Sequence, residues 1–283
     1  MSEEKIKHED KYPSGMLQRV MYVNSMGQLD GEMLLYAEDG NLQQKSVFAN
    51  GILNGETITF STSGAKVQQS FFVDGKLDGE TQIFDEHGKL LQRVSYKSGI
   101  PDGETVLYDK GMPRTRIQYK NGKQHGLAIS YGEDGQISTK NTYADGKLNG
   151  ESQWYDKAGV LIRKCFYVND MLEGENLLYF LSGKISEKTR YKNNILEGEC
   201  LKYYENGKLR EKCFFKQNKI EGEYLTYHQT TGAIARKQVF KNGKLAGEPL
   251  EFDENGDLKE PDSGEKKSKK PFLSDFVQRL TGG

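Results

Sequence analysis

The chain has 283 residues, with 40 basic and 41 acidic side chains and a formal net charge of −1. That balance excludes the strongly basic surface by which proteins hold nucleic acid through counterion release. Nowhere do the roughly eighteen consecutive apolar residues of a membrane-spanning helix occur.

The opening residues, MSEEKIKHEDKYPSG, are polar and charged where a signal peptide would need an apolar run, so a soluble protein of the cytoplasm is expected. Residues 1–11 read as a disordered N-terminal segment. From Tyr12 to Leu258 the chain repeats itself. Asp145 to Gly159 reads DGKLNGESQWYDKAG, and Asp74 to Gly88 reads DGKLDGETQIFDEHG. Aligned on one glycine, ten copies stand at Gly31, Gly55, Gly79, Gly103, Gly126, Gly150, Gly174, Gly198, Gly222 and Gly247, almost all 24 residues apart. Five residues after each glycine comes an aromatic, such as Tyr36, Phe60 and Tyr155. A second aromatic closes each of the first nine copies, for example Phe48, Tyr143, Tyr167 and Phe240.

Between these landmarks lie Asn-Gly or Asp-Gly pairs at 50–51, 74–75, 121–122, 145–146 and 242–243. Such pairs suit type I′ hairpin turns, which need positive φ at both central residues. Along Gly-Glu-x-Leu-x-Tyr the apolar period is two, so each copy is strand, turn, strand, turn. The expected fold is all-β: an elongated, twisted, single-layer antiparallel sheet of about ten 24-residue hairpins, solenoid-like, with neighbours supplying the stability that a lone hairpin lacks. Such an array needs end caps.

Nine landmark glycines are followed by glutamate, among them Glu32, Glu151, Glu175 and Glu199. Equivalent residues two strands apart lie about 9.6 Å from each other, too far to share a calcium ion with ligands at about 2.4 Å. A basic column answers them, including Lys45, Arg93, Lys164, Lys188 and Lys237. If the turns are two-residue loops, pairing outward from them sets Lys164 opposite Glu175 of the following copy, and Tyr143 against Leu148. The same register sends the two aromatic columns to opposite faces unless a bulge sits at the landmark glycine, which leaves the facing open. His8, His87, His125 and His228 are scattered, and Cys165, Cys200 and Cys213 lack CxxC spacing. No GxSxG, HExxH, GxxxxGK[ST] or GxGxxG occurs, so no catalytic, metal or cofactor residue is assigned and no enzyme activity is expected.

The copy unit, [ND]-G-K-L-x-G-E-x-x-x-[YF]-x-x-x-G-K-L followed by the second aromatic, resembles the MORN-variant repeat of the bacterial YwqK-type antitoxin family. Ordinary MORN repeats carry a Gly-x-Gly strand and often a His-Gly pair, of which this chain shows only His125–Gly126. The resemblance implies an antitoxin or immunity protein that binds and neutralises or chaperones a protein toxin or effector. On the strand positions between glutamate and aromatic, a sheet face left to water would make Leu35, Leu107, Trp154, Leu178 and Tyr224 partner contacts. Trp154 is the preferred anchor because binding energy concentrates on buried aromatics.

After Leu258 the composition changes. Residues 259–271 read as a charged linker, and in 272–283 Phe272, Leu273, Phe276, Val277 and Leu280 recur at helical spacing. So short an amphipathic helix must dock to be ordered, against the array, a partner or a membrane surface. Phe272, Phe276 and Leu280 are therefore partner candidates. The alternative to the antitoxin reading is a peripheral membrane or structural scaffold anchored by this tail.

Overall fold

A computed structural model describes residues 5–260. The linker beyond residue 260, the helix expected at 272–283, and the candidates Phe272, Phe276 and Leu280 lie outside the described residues. Within them the chain forms one 25-stranded sheet in which neighbouring strands pair antiparallel in chain order; the two-residue strands Lys76–Leu77, Ile195–Leu196, Lys219–Ile220 and Lys244–Leu245 share the preceding strand with the strand that follows them. One repeat shows the plan. The strand Lys147–Tyr155 turns through Asp156 to Gly159 into Leu161–Val168, and a turn at Asn169–Asp170 leads into Met171–Tyr179.

The turns have the geometry that the dipeptides predict. Asn50 and Gly51 have φ of 48° and 81°, as a type I′ turn requires. The same conformation recurs without glycine at Asn193–Asn194 and Gln217–Asn218, where the composition alone gives a weaker signal. Successive tips stack through backbone hydrogen bonds: Asn194 N–H donates to Leu172 O at 3.0 Å, and Asn218 N–H donates to Leu196 O at 3.1 Å. Carboxylates reinforce the stack by accepting from the next tip, as Glu197 Oε2 does from Gln217 N at 2.9 Å.

The landmark glycine sits in a bulge. Tyr167 pairs with Leu172, yet the next pair is Cys165 with Asn176, so two extra residues around Gly174 have no partner on the facing strand. Two extra residues conserve the in-and-out alternation. The first aromatic therefore shares a face with glutamate and lysine, while the second shares the opposite face with Cys165 and Ser152. The pairings expected between second aromatics and tip leucines are present, including Tyr143 with Leu148 and Phe215 with Ile220.

That second face is the core side. Its midline is a continuous row of cross-strand partners, running in its central part Asn141, Ser152, Cys165, Asn176 and Thr189. Ser46, Ser70, Ser152 and Thr189 on this row have no exposed surface. Small side chains suit the midline because the aromatics and tip leucines close over it. From Cys165 onward the core is most apolar, joining Leu172, Tyr191, Leu196, Cys200, Cys213, Phe215, Ile220 and Phe240.

Two expectations are corrected. Residues 1–11 are not a disordered segment throughout: Ile6–Lys11 is a strand paired with Leu17–Val23. It is a partial repeat whose Tyr12 lies one period before Tyr36 and donates its hydroxyl to Tyr36 O at 2.8 Å. Its landmark position is occupied by Lys7, which hides it from a glycine-based alignment. Lys164 does not face Glu175. The bulge carries Lys164 past it to pair with Leu177, and its ammonium contacts Glu151 of its own repeat at 2.5 Å.

Candidate binding face

On the core face, the row beside the midline holds the residues four places after the landmark glycine. Leu35 pairs with Gln44, Leu107 with Gln92 and Thr115, Trp154 with Thr139 and Arg163, and Leu178 with Arg163 and Glu187. Sequence spacing thus places Leu35, Leu107, Trp154 and Leu178 on one line of the sheet. Tyr224 does not join them, because it lies two residues after Gly222 and so on the midline, paired with Gln238.

The surroundings differ from the expectation of a face left to water. Trp154 is half-buried and packs against the core cluster, with the Arg163 guanidinium 4.8 Å from its ring centroid. Arg163 is held there by Asn176, whose Oδ1 accepts from Nε at 2.8 Å. Tyr224 meets Phe240 edge-on at 6.0 Å. Leu107 is the most open of the five, 38% exposed. The row is therefore the margin of the core, where side chains are half covered by their own sheet. Leu35 also lines a shallow groove of about 310 Å³ with Gln44, Thr59 and Phe60 at its rim.

South of Leu178 the row becomes charged. Glu187 pairs across with Lys202, and Lys202 with Glu211. Glu211 Oε2 accepts from Tyr224 at 2.7 Å and from Lys202 at 2.9 Å. Burial alone would raise the Glu211 carboxyl, but these two hydrogen bonds and the lysine charge hold it below its ordinary range. Glu187 is the opposite case. Burial pushes its carboxyl up, and its Oε1 is buried with no hydrogen-bond partner. Sequence reasoning missed this Glu-Lys-Glu-Tyr cluster because its members come from four strands and recur in no other repeat.

Two of the thiols, Cys165 and Cys200, are pushed above the ordinary thiol range. Burial raises Cys165, and the hydrogen bond with Cys213, followed by burial, raises Cys200. Such thiols make poor nucleophiles at neutral pH. Tyr191 is pushed up to about 12 by burial. Among the described residues, no three His, Cys, Asp or Glu side chains are grouped to hold a metal ion.

The opposite face carries the ion-pair ladder. Lys45 meets Glu32, Lys188 meets Glu175, Lys212 meets Glu199 and Lys237 meets Glu223, all at 2.9 Å or less. Arg93 bridges two repeats, reaching Glu80 at 3.4 Å and Glu104 at 2.8 Å. These pairs are partly exposed and diagonal across the strands, the position of a structural ladder.

The family profile described as MORN repeat variant matches residues 29–50, 77–98, 148–169, 172–193 and 196–217. No curated protein matches. Among solved structures, the chain is similar to the crystal structure of TcdB2-TccC3-TEV, with 12% identity over 88% of this chain and 14% of that one, at a TM-score of 0.22. It is also similar to the Photorhabdus luminescens Tc holotoxin pore, with 12% identity over 86% of this chain and 15% of that one, at a TM-score of 0.19. The chain thus spans about one-seventh of the length of these structures. Likeness at such scores says nothing of function.

Proposed function

From the match of five of its repeats to the MORN-variant profile, we propose that this chain is a non-enzymatic protein-binding scaffold of the cytoplasm. In this reading it is an antitoxin- or immunity-type protein that holds a toxin or effector against the margin of its core face. The observation that carries the reading is the single row joining Leu35, Leu107, Trp154 and Leu178. A partner covering that row completes the burial of side chains that the sheet leaves half covered, and the aromatic among them is the natural anchor.

The test begins with affinity capture from the native host's lysate, followed by titration of the captured protein against the purified chain. Trp154 is the sole tryptophan, so its emission reports directly on the row. Saturable one-to-one binding that shifts this emission and is weakened about tenfold or more by Leu107→Ala or Leu178→Ala supports the reading. Binding indifferent to both substitutions, or association only with lipid vesicles, overturns it.

A further inference from the structure

The net charge of −1 conceals an uneven distribution along the hairpin tips. At three consecutive tips near the end of the array, the residues flanking the turns include Lys192, then Lys216 and Lys219, then Lys241 and Lys244, all exposed. Lys216 faces Lys219 directly, and Lys241 faces Lys244. Like charges directly opposite are destabilising. Among the described residues none of these five lysines has an ion-pair partner, unlike the lysines of the ladder. The carboxylates nearby in the chain are engaged with backbone: Glu197 accepts from Gln217 N at 2.9 Å, and Glu221 from Asn242 N at 2.6 Å. The turns themselves, Asn193–Asn194, Gln217–Asn218 and Asn242–Gly243, contain no acid. An acid-free turn with facing lysines also occurs at Asn121–Gly122, between Lys120 and Lys123, but there the neighbouring tips carry no such pair and the next one carries Asp145, so only the last three form a consecutive run. A groove of about 300 Å³ separates the first two of these tips, with Lys192 and Lys216 among its walls.

Spacing narrows the ligand. Successive tips are two strands apart, about 9.6 Å. A polyproline II helix rises about 3.1 Å per residue with three residues per turn, so every third side chain returns to the same face at intervals of about 9.3 Å. A β-strand cannot do this, because residues three apart point to opposite faces. From this match we infer that the lysine edge from Lys192 to Lys244 binds an acidic segment of a partner protein, extended in polyproline II form with a carboxylate at every third residue. The inference rests on the protein-binding reading above and adds a second contact of defined chemistry. A carboxylate seated at each tip pairs with Lys192 at the first and relieves the facing lysines at the second and third. An anionic lipid surface would supply charge without that period, so periodicity separates the two.

The experiment titrates full-length protein with a labelled peptide of Glu-Pro-Pro triplets, one triplet per tip plus one, against a peptide of identical composition with its glutamates consecutive. The periodic peptide is expected to bind several-fold more tightly than the block peptide. Its affinity should fall as salt rises from about 50 to about 200 mM, and by about tenfold in K219E/K244E. Both substitutions lie on exposed tips, and an unchanged circular dichroism spectrum verifies the fold. Equal affinity for the two peptides, or indifference to K219E/K244E, overturns the inference. So does loss of phosphatidylserine-vesicle binding in that variant without any peptide binding, which would assign the edge to a membrane. Binding of the captured partner, followed by Trp154 emission, tests the earlier reading separately. A partner held equally well by K219E/K244E removes only the lysine edge from the account.

Discussion

At Gly150 the backbone has φ of +126°, and an added Cβ would lie 2.9 Å from the Thr142 Cβ. Gly174 is also left-handed, at +78°, but its added Cβ would meet nothing within 4 Å. Both therefore carry a conformational cost when replaced, and only the first adds a clash. Gly150→Ala is expected to lower stability by roughly 2–3 kcal/mol and Gly174→Ala by about 1 kcal/mol, as urea denaturation would measure. Glu187 shows the same dependence on setting. Its carboxyl is raised by burial, so the ionised form opposes folding above the raised folded pKa and costs nothing below the unfolded value of about 4.3. Glu187→Gln should stabilise the protein by roughly 1 kcal/mol at pH 7, and the gain should fade as the pH is lowered towards 4. Glu211, held low by Lys202 and Tyr224, gives the reverse: its stabilisation is present above the unfolded value and is lost as the pH falls through the folded one. An equal gain from Glu187→Gln at pH 4 and pH 7 would contradict this assignment.

At the scale of the strand pair, the two faces carry different amounts of energy. The Glu151–Lys164 contact is short, but both side chains are about two-fifths exposed. Lys164→Ala should cost only a few tenths of a kcal/mol. Trp154 sits on the other face, against the core cluster and beneath Arg163. Trp154→Ala should therefore cost about 2–3 kcal/mol of stability in addition to any effect on binding. For that reason Leu107→Ala, at a more open position, separates recognition from folding better than the tryptophan variant does. Comparing midpoints of chemical denaturation for the lysine and tryptophan variants checks the contrast.

Across the whole array, contacts join each repeat to its neighbours, and the apolar core concentrates between Cys165 and Phe240. Amide hydrogen exchange should be slowest there and fastest towards the two ends, as in other one-dimensional repeat proteins. The first strand, Ile6–Lys11, covers Leu17–Val23, in which Val20 and Val23 are buried, and presents charged side chains at the open edge. Removing residues 1–11 should expose that next strand and its apolar side chains, so self-association rising with concentration is expected by analytical ultracentrifugation. A shortened chain that associates no more than the full one would show that the strand is not a cap.

The hairpin repeat was legible because its causes are local. Asn-Gly turns, alternation along Gly-Glu-x-Leu-x-Tyr and the 24-residue period set the strands, their order and the pairing of Tyr143 with Leu148. The line through Leu35, Leu107, Trp154 and Leu178 was equally readable, since equal places in equal repeats must align. Three features came only from the tertiary structure. The size of the bulge at each landmark glycine depends on how the bent strand meets its neighbour, and it decided which glutamate each lysine reaches. The choice of core face followed, because the aromatics and tip leucines close over Ser152 and Cys165 rather than over the charged ladder. The Glu187–Lys202–Glu211–Tyr224 cluster and the lysine edge arose from residues that vary between repeats, and stacking alone brought them together.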